Sequence, residues 1–277
     1  DGVVFMLSSD FSSLLWSSYY GGSENDACYS VKIDSSYNIL LAGGTSSSDI
    51  PGTVGGLNPT YQGGKCDGFV AKLTPDGSTL TQATYIGTNV YDQTIFVEID
   101  RWDNVYIVGQ SLGNMPVINA PYSNPNSSQY IMKLLPDLAT IDYSTIFGNG
   151  NLSINISPSA FLVDVCGNVY VSGWGGGFNG VATGNPYEAQ AFGTTTGMPT
   201  TFDAQQSTTD GNDFYFWVME RDATGLLYAT FLGDPVTFEH TDGGTSRFDP
   251  SGIVYQSVCA TCGTGDFPTT PGAYNSS

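Results

Sequence analysis

Basic residues are scarce in this sequence. Its 277 residues include 7 Lys and Arg against 26 Asp and Glu, which gives a formal net charge of -19 at pH 7. Binding to the phosphates of a nucleic acid requires clustered Lys and Arg, and an anionic membrane surface repels an acidic protein. The composition therefore argues against nucleic acid as a partner, and it favours a protein that stays soluble outside the cell.

Long apolar segments are also absent. No stretch reaches the length of a membrane-spanning helix, and the segment beginning at Asp1 lacks the basic flank and the apolar core of a signal peptide. We therefore expect no membrane insertion. We also expect the sequence to begin in a mature, processed or excised segment.

Glycine and aromatic residues, in contrast, are abundant. The chain contains 35 Gly, 17 Tyr and 15 Phe, whereas only 12% of its residues are charged. This composition is typical of many short strands joined by tight turns, and it does not favour long amphipathic helices. The expected fold is all-β.

A β-hairpin recurs four times along the chain. The first strand of each copy ends near a marker aspartate, and the markers are Asp34, Asp100, Asp164 and Asp249. After a short turn the second strands read Asn38-Ile-Leu-Leu-Ala-Gly, Asn104-Val-Tyr-Ile-Val-Gly, Asn168-Val-Tyr-Val-Ser-Gly and, more loosely, Ile253-Val-Tyr-Gln. Apolar residues alternate with small or polar ones at period two, which predicts strands.

A second hairpin follows each of the first three copies. Its strands cover 67–73 with 81–87, 129–134 with 142–148, and 213–219 with 227–233. Two hairpins in a period of roughly 65 residues make a four-stranded antiparallel sheet, which is the blade of a β-propeller. The three contiguous blades span 21–87, 88–148 and 149–233, and the last contains an insertion at 175–210.

Each end of the chain holds half a blade. Residues 1–20 match a second hairpin, and residues 234–277 match a first hairpin. We therefore predict one propeller domain of four blades, in which the fourth blade is made from the N-terminal and C-terminal hairpins. Two alternatives stay open: the chain is part of a larger propeller, or its N-terminal hairpin completes a neighbouring molecule and builds dimers or filaments.

Acidic, glycine-rich connections join consecutive blades. They contain Asp26, Asp92 and Asp234, and carboxylates beside backbone carbonyls are the ligands that calcium prefers. The connections match no EF-hand or nonapeptide calcium pattern. Calcium is thus the one candidate cofactor, and the alternative is that these side chains cap turns through hydrogen bonds to the backbone.

His240 is the single histidine, and it lies in a polar cluster with Glu239, Asp242 and Arg247. A histidine beside a carboxylate and a cation can act as a general base. No plausible serine or cysteine nucleophile accompanies it, so ion pairs and turn hydrogen bonds are the favoured role. We therefore predict no catalytic residue, and we retain the four side chains as candidate binding residues.

The insertion at 175–210 follows Trp174 and is rich in Gly, Thr, Asn and Gln. Its aromatic side chains Tyr187, Phe192 and Phe202 suit stacking on sugars or packing against a neighbouring subunit. Loops of this kind on a rigid scaffold often carry recognition. The alternative is a cover over the edge of its blade.

The cysteines number five, so at least one is free or paired outside this chain. Cys259 and Cys262 have the spacing of a redox pair or of half a zinc site, but no second pair of ligands follows. A structural disulfide, within the pair or to a cysteine elsewhere, is the better interpretation in an oxidising compartment. Cys28 and Cys66 precede parallel strands at the same end of one blade, so a disulfide between them is a second hypothesis.

Three motifs carry a resemblance to a known family: Trp16-Ser-Ser-Tyr-Tyr-Gly-Gly, Asp67-Gly-Phe-Val-Ala-Lys-Leu and Phe267-Pro-Thr-Thr-Pro-Gly-Ala-Tyr. Over nearly its whole length the sequence resembles the SBBP β-propeller repeat family. Its later part, including Cys166-Gly-Asn-Val-Tyr-Val-Ser-Gly-Trp, is similar to large Bacteroidota surface proteins associated with gliding motility or type IX secretion. The resemblance implies a secreted or cell-surface location and brings no catalytic residues.

Together these observations favour a non-catalytic extracellular scaffold that mediates adhesion or self-assembly, including filament formation. The expected partners are further copies of the chain, other surface proteins or glycans. The alternative is an extracellular propeller enzyme that acts on glycans, with the His240 cluster or the acidic connections as its site.

Overall fold

The computed structural model describes residues 1–175, 193–234, 236, 239–241, 247–260 and 267–274. Within these ranges the chain forms eighteen strands and one short 3₁₀ turn, Arg221–Ala223. No helix in the described ranges is long and apolar enough to cross a membrane. The all-β prediction is therefore confirmed.

Twelve strands form three four-stranded antiparallel sheets, which are the three predicted blades. The first blade contains β3 (Asp26–Ile33), β4 (Ile39–Thr45), β5 (Asp67–Leu73) and β6 (Leu80–Ile86). The second contains β7 (Asp92–Ile99), β8 (Val105–Ser111), β9 (Gln129–Leu134) and β10 (Ile141–Phe147). The third contains β11 (Ser157–Val163), β12 (Val169–Trp174), β13 (Phe214–Met219) and β14 (Leu226–Leu232).

The innermost strands β3, β7 and β11 line one central cavity of about 580 Å³. Arg247 and Phe248 of the C-terminal hairpin line the same cavity. Lys32 of β3 and Glu98 of β7 form an ion pair of 2.6 Å between neighbouring inner strands. Blades whose first strands surround a common cavity have the arrangement of a propeller.

Aspartates close the turns of the inner hairpins. Asp164 Oδ1 accepts hydrogen bonds from the backbone N–H groups of Cys166 (2.8 Å) and Asn168 (2.9 Å), and its Oδ2 accepts one from Asn168 Nδ2 (2.9 Å). Equivalent bonds to backbone N–H groups are accepted by Asp34, Asp100 and Asp249. The marker aspartates of the repeat are therefore turn caps.

Large apolar side chains fill the space between blades. Phe147 of the second blade stacks on Trp217 of the third, with ring centroids 4.3 Å apart. Tyr20 of the N-terminal hairpin packs on Phe69 of the first blade, with centroids 5.1 Å apart. The hydrophobic core is thus a series of layers, each shared by two neighbouring blades.

The connection between the second and third strands of each blade covers the blade's outer edge. The Ala83 N–H of β6 donates to the Gly52 carbonyl (2.8 Å), and the Thr201 N–H donates to the Ala229 carbonyl of β14 (3.1 Å). The corresponding segment of the second blade pairs with β10 in the same way. We call such a segment an edge cover. The described part of the insertion, 193–210, includes an edge cover of the third blade, which was one of the two interpretations of the insertion.

The terminal hairpins form sheets of their own. The N-terminal sheet pairs β1 (Gly2–Leu7) with β2 (Leu14–Tyr20). At the other end, β15 (Glu239–His240) pairs with β18 (Cys259–Ala260), and β16 (Arg247–Phe248) pairs with β17 (Val254–Tyr255). These two short ladders are the two ends of one inner hairpin, whose turn is capped by Asp249.

The ladders of the described residues do not include the predicted pairing of the two half blades, so closure of the fourth blade stays a prediction. Among the described residues, no ladder joins β1 to β17. Val4 and Tyr20 of the N-terminal hairpin pack against the first blade. Phe248 instead lies against Tyr170 of the third blade, with ring centroids 5.8 Å apart. Each half blade packs against the blade next to it in sequence, and the described strands include no partner for the edges that would meet.

Replacing Asp164 by Ala removes the three hydrogen bonds that close the turn between β11 and β12. We expect Asp164→Ala to lower the free energy of unfolding by about 1–3 kcal/mol, because the N–H groups of the turn lose a charged acceptor. Asp203→Ala is the matched control, since Asp203 is exposed. Urea unfolding followed by tryptophan fluorescence measures both, and equal stability of the two variants would contradict the capping role.

Candidate functional site

The N-terminal hairpin exposes an apolar face. Val3, Phe5, Leu7 and Tyr19 lie on the opposite side of β1–β2 from the side chains that pack on the first blade. Val3 is 48% exposed and Phe5 is 58% exposed. These four side chains are named the leading face.

In the complete blades the same positions are buried. By strand register, Val3 corresponds to Phe69, Tyr130 and Tyr215, and each of these is 0% exposed. They are buried because the side chains of the preceding blade or hairpin contact them. The leading face is therefore the face of a blade without a preceding neighbour.

The third blade exposes a face of the complementary kind. Tyr170, Phe216, Val218, Tyr228 and Leu232 line an open apolar groove of about 480 Å³. These five side chains are named the trailing face. Exposed apolar grooves are typical of interaction sites.

The groove lies where an outer hairpin is missing. Phe216 corresponds by register to Val70 and Ile131, which are fully buried against the following blade. Val254 of β17 also lines the groove, and β17 is paired only with β16 in the described chain. An outer hairpin that paired with β17 would fill the groove.

Segment 267–274 resembles the edge covers of the complete blades. Those covers are anchored by Ile50, Met115 and Met198, which are 4%, 5% and 5% exposed and are each followed by proline. Phe267 is likewise followed by proline and is half-buried. The C-terminal half blade thus contains an inner hairpin and a cover, but no outer strands among its described residues.

Sequence reasoning predicted the N-terminal half blade but did not single out its leading face. The signal was present, because Asp1-Gly-Val-Val-Phe aligns with Asp67-Gly-Phe-Val-Ala. Transferring the burial of Phe69 to Val3 through this alignment would have identified the exposed face.

The aspartates predicted as calcium ligands lie in three different connections between blades. Asp26 Oδ2 accepts a hydrogen bond from the Gly22 N–H (2.8 Å). In the next connection Asp92 Oδ2 accepts the equivalent bond from the Thr88 N–H (2.6 Å). At the third connection the Asp234 N–H donates to Glu239 Oε1 (3.1 Å). The described chain holds no group of three or more His, Cys, Asp or Glu side chains placed to bind a metal ion. These hydrogen bonds agree with the turn-capping alternative, and calcium binding at the separate connections stays a prediction.

Two pairs of buried carboxyl groups lie at these connections, Asp67 with Asp92 and Asp213 with Glu239. Burial raises the pKa of Asp67 to about 8 and the pKa of Glu239 to about 7. Burial also raises the pKa values of Asp92 and Asp213. Asp67 is the first residue of β5, and Asp213 directly precedes β13. Sequence reasoning missed both as site residues, although each lies at the start of the third strand of its blade.

The predicted His240 cluster is divided between two places. Glu239 is fully buried beside Asp213, whereas Arg247 is exposed and lines the central cavity. These two residues lie in different ladders of the C-terminal hairpin, Glu239 opposite Ala260 and Arg247 opposite Tyr255. The side chains of His240 and Asp242 lie outside the described part of the structure. The described members of the cluster therefore do not form one acid–base site.

The aromatic residues predicted to bind sugars are only partly described. Trp174 is half-buried at the end of β12, and Phe202 is fully exposed on the edge cover of the third blade. Tyr187 and Phe192 lie outside the described residues. Stacking on a glycan therefore stays a prediction, with Phe202 as its most accessible side chain among those described.

The predicted disulfide between Cys28 and Cys66 is wrong, since neither cysteine is part of a disulfide in the structure. Cys28 lies against Gly2 of the N-terminal hairpin. Cys66 Sγ instead donates to the Asp92 carbonyl of the second blade (3.2 Å). The two thiols contact neighbours on different sides of the first blade, although they lie at the same end of the sheet. The side chains of Cys259 and Cys262 are outside the described residues.

Neither a protein-family model nor a curated protein matches this chain. The resemblance to SBBP repeats therefore rests on the sequence motifs alone.

The thiols of Cys28, Cys66 and Cys166 should differ in reactivity. Cys166 is exposed, whereas burial raises the pKa of Cys28 to about 11 and the pKa of Cys66 to about 12. We expect Cys166 to be alkylated at least ten times faster than either of the others in the folded protein at pH 7. Peptide mapping by mass spectrometry, with Cys166→Ser as the control, measures the rates. Recovery of a Cys28–Cys66 disulfide peptide would contradict the structure.

Proposed function

We propose that this protein is a non-catalytic extracellular scaffold that assembles with further copies of itself through its two half blades. The observation that carries the proposal is the pair of open apolar surfaces, the leading face on β1–β2 and the trailing face on the third blade. In the complete blades, surfaces at the same register positions are buried against each other. The N-terminal hairpin of a second copy is the occupant with the matching shape and strand order.

Strand pairing supports the same partner. In complete blades the inner hairpin pairs antiparallel with the outer one, and this register places Ile39 opposite Leu73 and Val169 opposite Met219. The same register places Leu7 of one copy opposite Val254 of another. The sheet then continues from β17 into β1, which satisfies the backbone groups of both open edges.

The contact joins two different surfaces and is therefore heterologous. Each copy that uses its leading face still presents a trailing face, so assembly can repeat into a filament or close into a ring. The net charge of -19 opposes the approach of two copies. Association should therefore strengthen as added salt screens the repulsion.

An extracellular or cell-surface location is part of the proposal. It is supported by the acidic composition and by the resemblance to SBBP-type surface proteins. Repeating assemblies of this kind present the same outward loops many times, which favours multivalent adhesion to other surface proteins or glycans.

Charged residues on the leading face should prevent assembly. We expect the sedimentation mass of the wild-type chain to rise with concentration above its monomer mass of 29.4 kDa. The double variant Val3→Glu/Phe5→Glu should remain at the monomer mass, because burial of two carboxylates in an apolar groove is strongly unfavourable. Sedimentation equilibrium at several protein concentrations measures the effect.

Phe11→Glu is the matched control. Phe11 is 80% exposed in the turn between β1 and β2 and belongs to neither face, so this variant should assemble like the wild type. Loss of assembly in the control, or a wild-type chain that is monomeric at every concentration, would contradict the proposal.

A further inference from the structure

The turns of the inner hairpins lie around one end of the central cavity. Val165 and Pro250, from the turns of the third blade and of the C-terminal hairpin, line this cavity. The turns of the first two blades carry aromatic side chains that are open to solvent: Tyr37 is 72% exposed and Trp102 is 57% exposed. These two side chains are named the turn platform.

The fold does not require an aromatic side chain at Trp102. The Trp102 N–H donates to Asp100 Oδ1 (2.9 Å). The same backbone bond is made at this position in the other three turns, by Ser36, Cys166 and Ser251. The position therefore acts in the turn through its backbone, and the other turns fill it with small side chains. The indole ring is an addition that the turn does not use.

Tyr37 occupies a position that favours glycine. Its φ is 64°, in the left-handed region, and the equivalent residues of the third blade and the C-terminal hairpin are Gly167 and Gly252, with φ of 88° and 87°. A bulky side chain at such a φ costs conformational energy, and an exposed ring recovers little of it through burial. Turn stability therefore does not explain the tyrosine, whereas strain retained at an exposed position is typical of a functional residue.

The turns that carry the two rings are joined directly. Asp103, which follows Trp102, accepts hydrogen bonds from the Ser35 N–H on Oδ1 (2.8 Å) and from Ser35 Oγ on Oδ2 (2.5 Å). Within its own turn, the Tyr37 N–H donates to the Asp34 carbonyl (2.9 Å). Both rings are thus carried by a braced pair of turns, so a ligand that contacts them meets a preorganised surface.

Polar groups surround the two rings. The guanidinium carbon Cζ of Arg101 lies 4.0 Å from the centroid of the Trp102 ring, which is a cation–π contact that supports one face of the indole. Ser36 precedes Tyr37 and Asp103 follows Trp102. The platform therefore consists of separate apolar rings among hydroxyl, carboxyl and guanidinium groups.

This combination matches the chemistry of a sugar. A pyranose ring has an apolar face of C–H groups that packs on an aromatic ring, and its hydroxyl groups form hydrogen bonds with polar side chains. The core of a protein–protein interface, in contrast, is depleted in charged residues. Two exposed rings among Arg, Asp and Ser side chains therefore favour a glycan over a protein as the ligand.

We propose that the turn platform binds a polysaccharide by stacking on its pyranose rings. Trp102 supplies the larger stacking surface, and Tyr37 supplies a second contact on the adjoining turn of the first blade. Arg101 donates hydrogen bonds to the hydroxyl groups of the stacked sugar. This site is separate from the aromatic residues of the insertion, which the sequence suggested for sugars.

The proposal deepens the glycan-adhesion part of the proposed function, and it does not depend on self-assembly. Tyr37 and Trp102 belong to neither the leading face nor the trailing face, so a single chain carries a complete platform. A repeating assembly would present many platforms, which strengthens binding to a polysaccharide through multivalency.

Native gel electrophoresis tests the proposal, with alginate, xylan, laminarin or mannan cast into separate gels. We expect at least one of these polysaccharides to retard the wild-type chain. Trp102→Ala should raise the dissociation constant at least about tenfold, because stacking on the indole is lost, and Trp102→Phe should restore part of the affinity. Absence of retardation by all four polysaccharides, or undiminished retardation of Trp102→Ala, would overturn the proposal.

Tyr37→Gly separates binding from stability. Glycine removes the ring and suits the left-handed backbone, so this variant should bind the polysaccharide more weakly while it unfolds at the same temperature as the wild type or at a higher one. Thermal unfolding and the same gels measure the two effects. Unchanged binding would overturn the assignment of Tyr37 to the platform.

Phe202→Ala is the matched control, because Phe202 is a fully exposed aromatic side chain on the edge cover of the third blade. It should bind like the wild type, and loss of binding in this variant alone would place the sugar on the edge cover and overturn the proposal.

The same substitutions in the Val3→Glu/Phe5→Glu background measure binding by single chains, so a failure of self-assembly and a failure of the platform are distinguished. A lower sedimentation mass of Tyr37→Gly or Trp102→Ala with unchanged retardation would assign the rings to a contact between copies. That result would also overturn the proposal.

Discussion

Every blade of this protein has two apolar faces, and each face is buried only when a neighbouring blade covers it. Phe147 and Trp217 stack between the second and third blades, and Tyr20 covers Phe69 in front of the first. Aromatic burial of this kind dominates the stability of an all-β protein with few charged residues. The same requirement leaves two faces uncovered, because the outermost elements of the described chain have a neighbour on one side only.

The acidic residues serve the same architecture in two ways. Exposed or half-buried aspartates such as Asp164 accept hydrogen bonds from the backbone and close the hairpin turns. Buried carboxyl groups such as Asp67 lie between consecutive blades, where burial and a second carboxyl group raise the pKa. The net charge of -19 opposes the approach of a second copy, whereas individual side chains such as Asp164 stabilise turns within the blades.

Much of the blade structure could be predicted from the sequence, because the marker aspartates and the alternating strands are local signals. The closure of the fourth blade stays a prediction, since a repeat pattern shows which hairpins are compatible but not whether they meet in one molecule or in two. The Cys28–Cys66 disulfide failed for a related reason: strand direction places both thiols at one end of the sheet, but they contact different neighbours. The pairing of Asp67 with Asp92 joins two blades, so neither blade's own pattern reveals it.

Hydrogen exchange of the backbone amides of β1 and β17 tests the central claim most directly. Neither edge has a strand partner among the described residues of the single chain, and the proposed docking of a second copy would pair both. Self-assembly predicts that amides in Gly2–Leu7 and Val254–Tyr255 gain protection together as protein concentration rises, with no change in β4 or β5. Fast exchange of both edges at every concentration, or protection that is already complete in dilute monomer, would contradict the account.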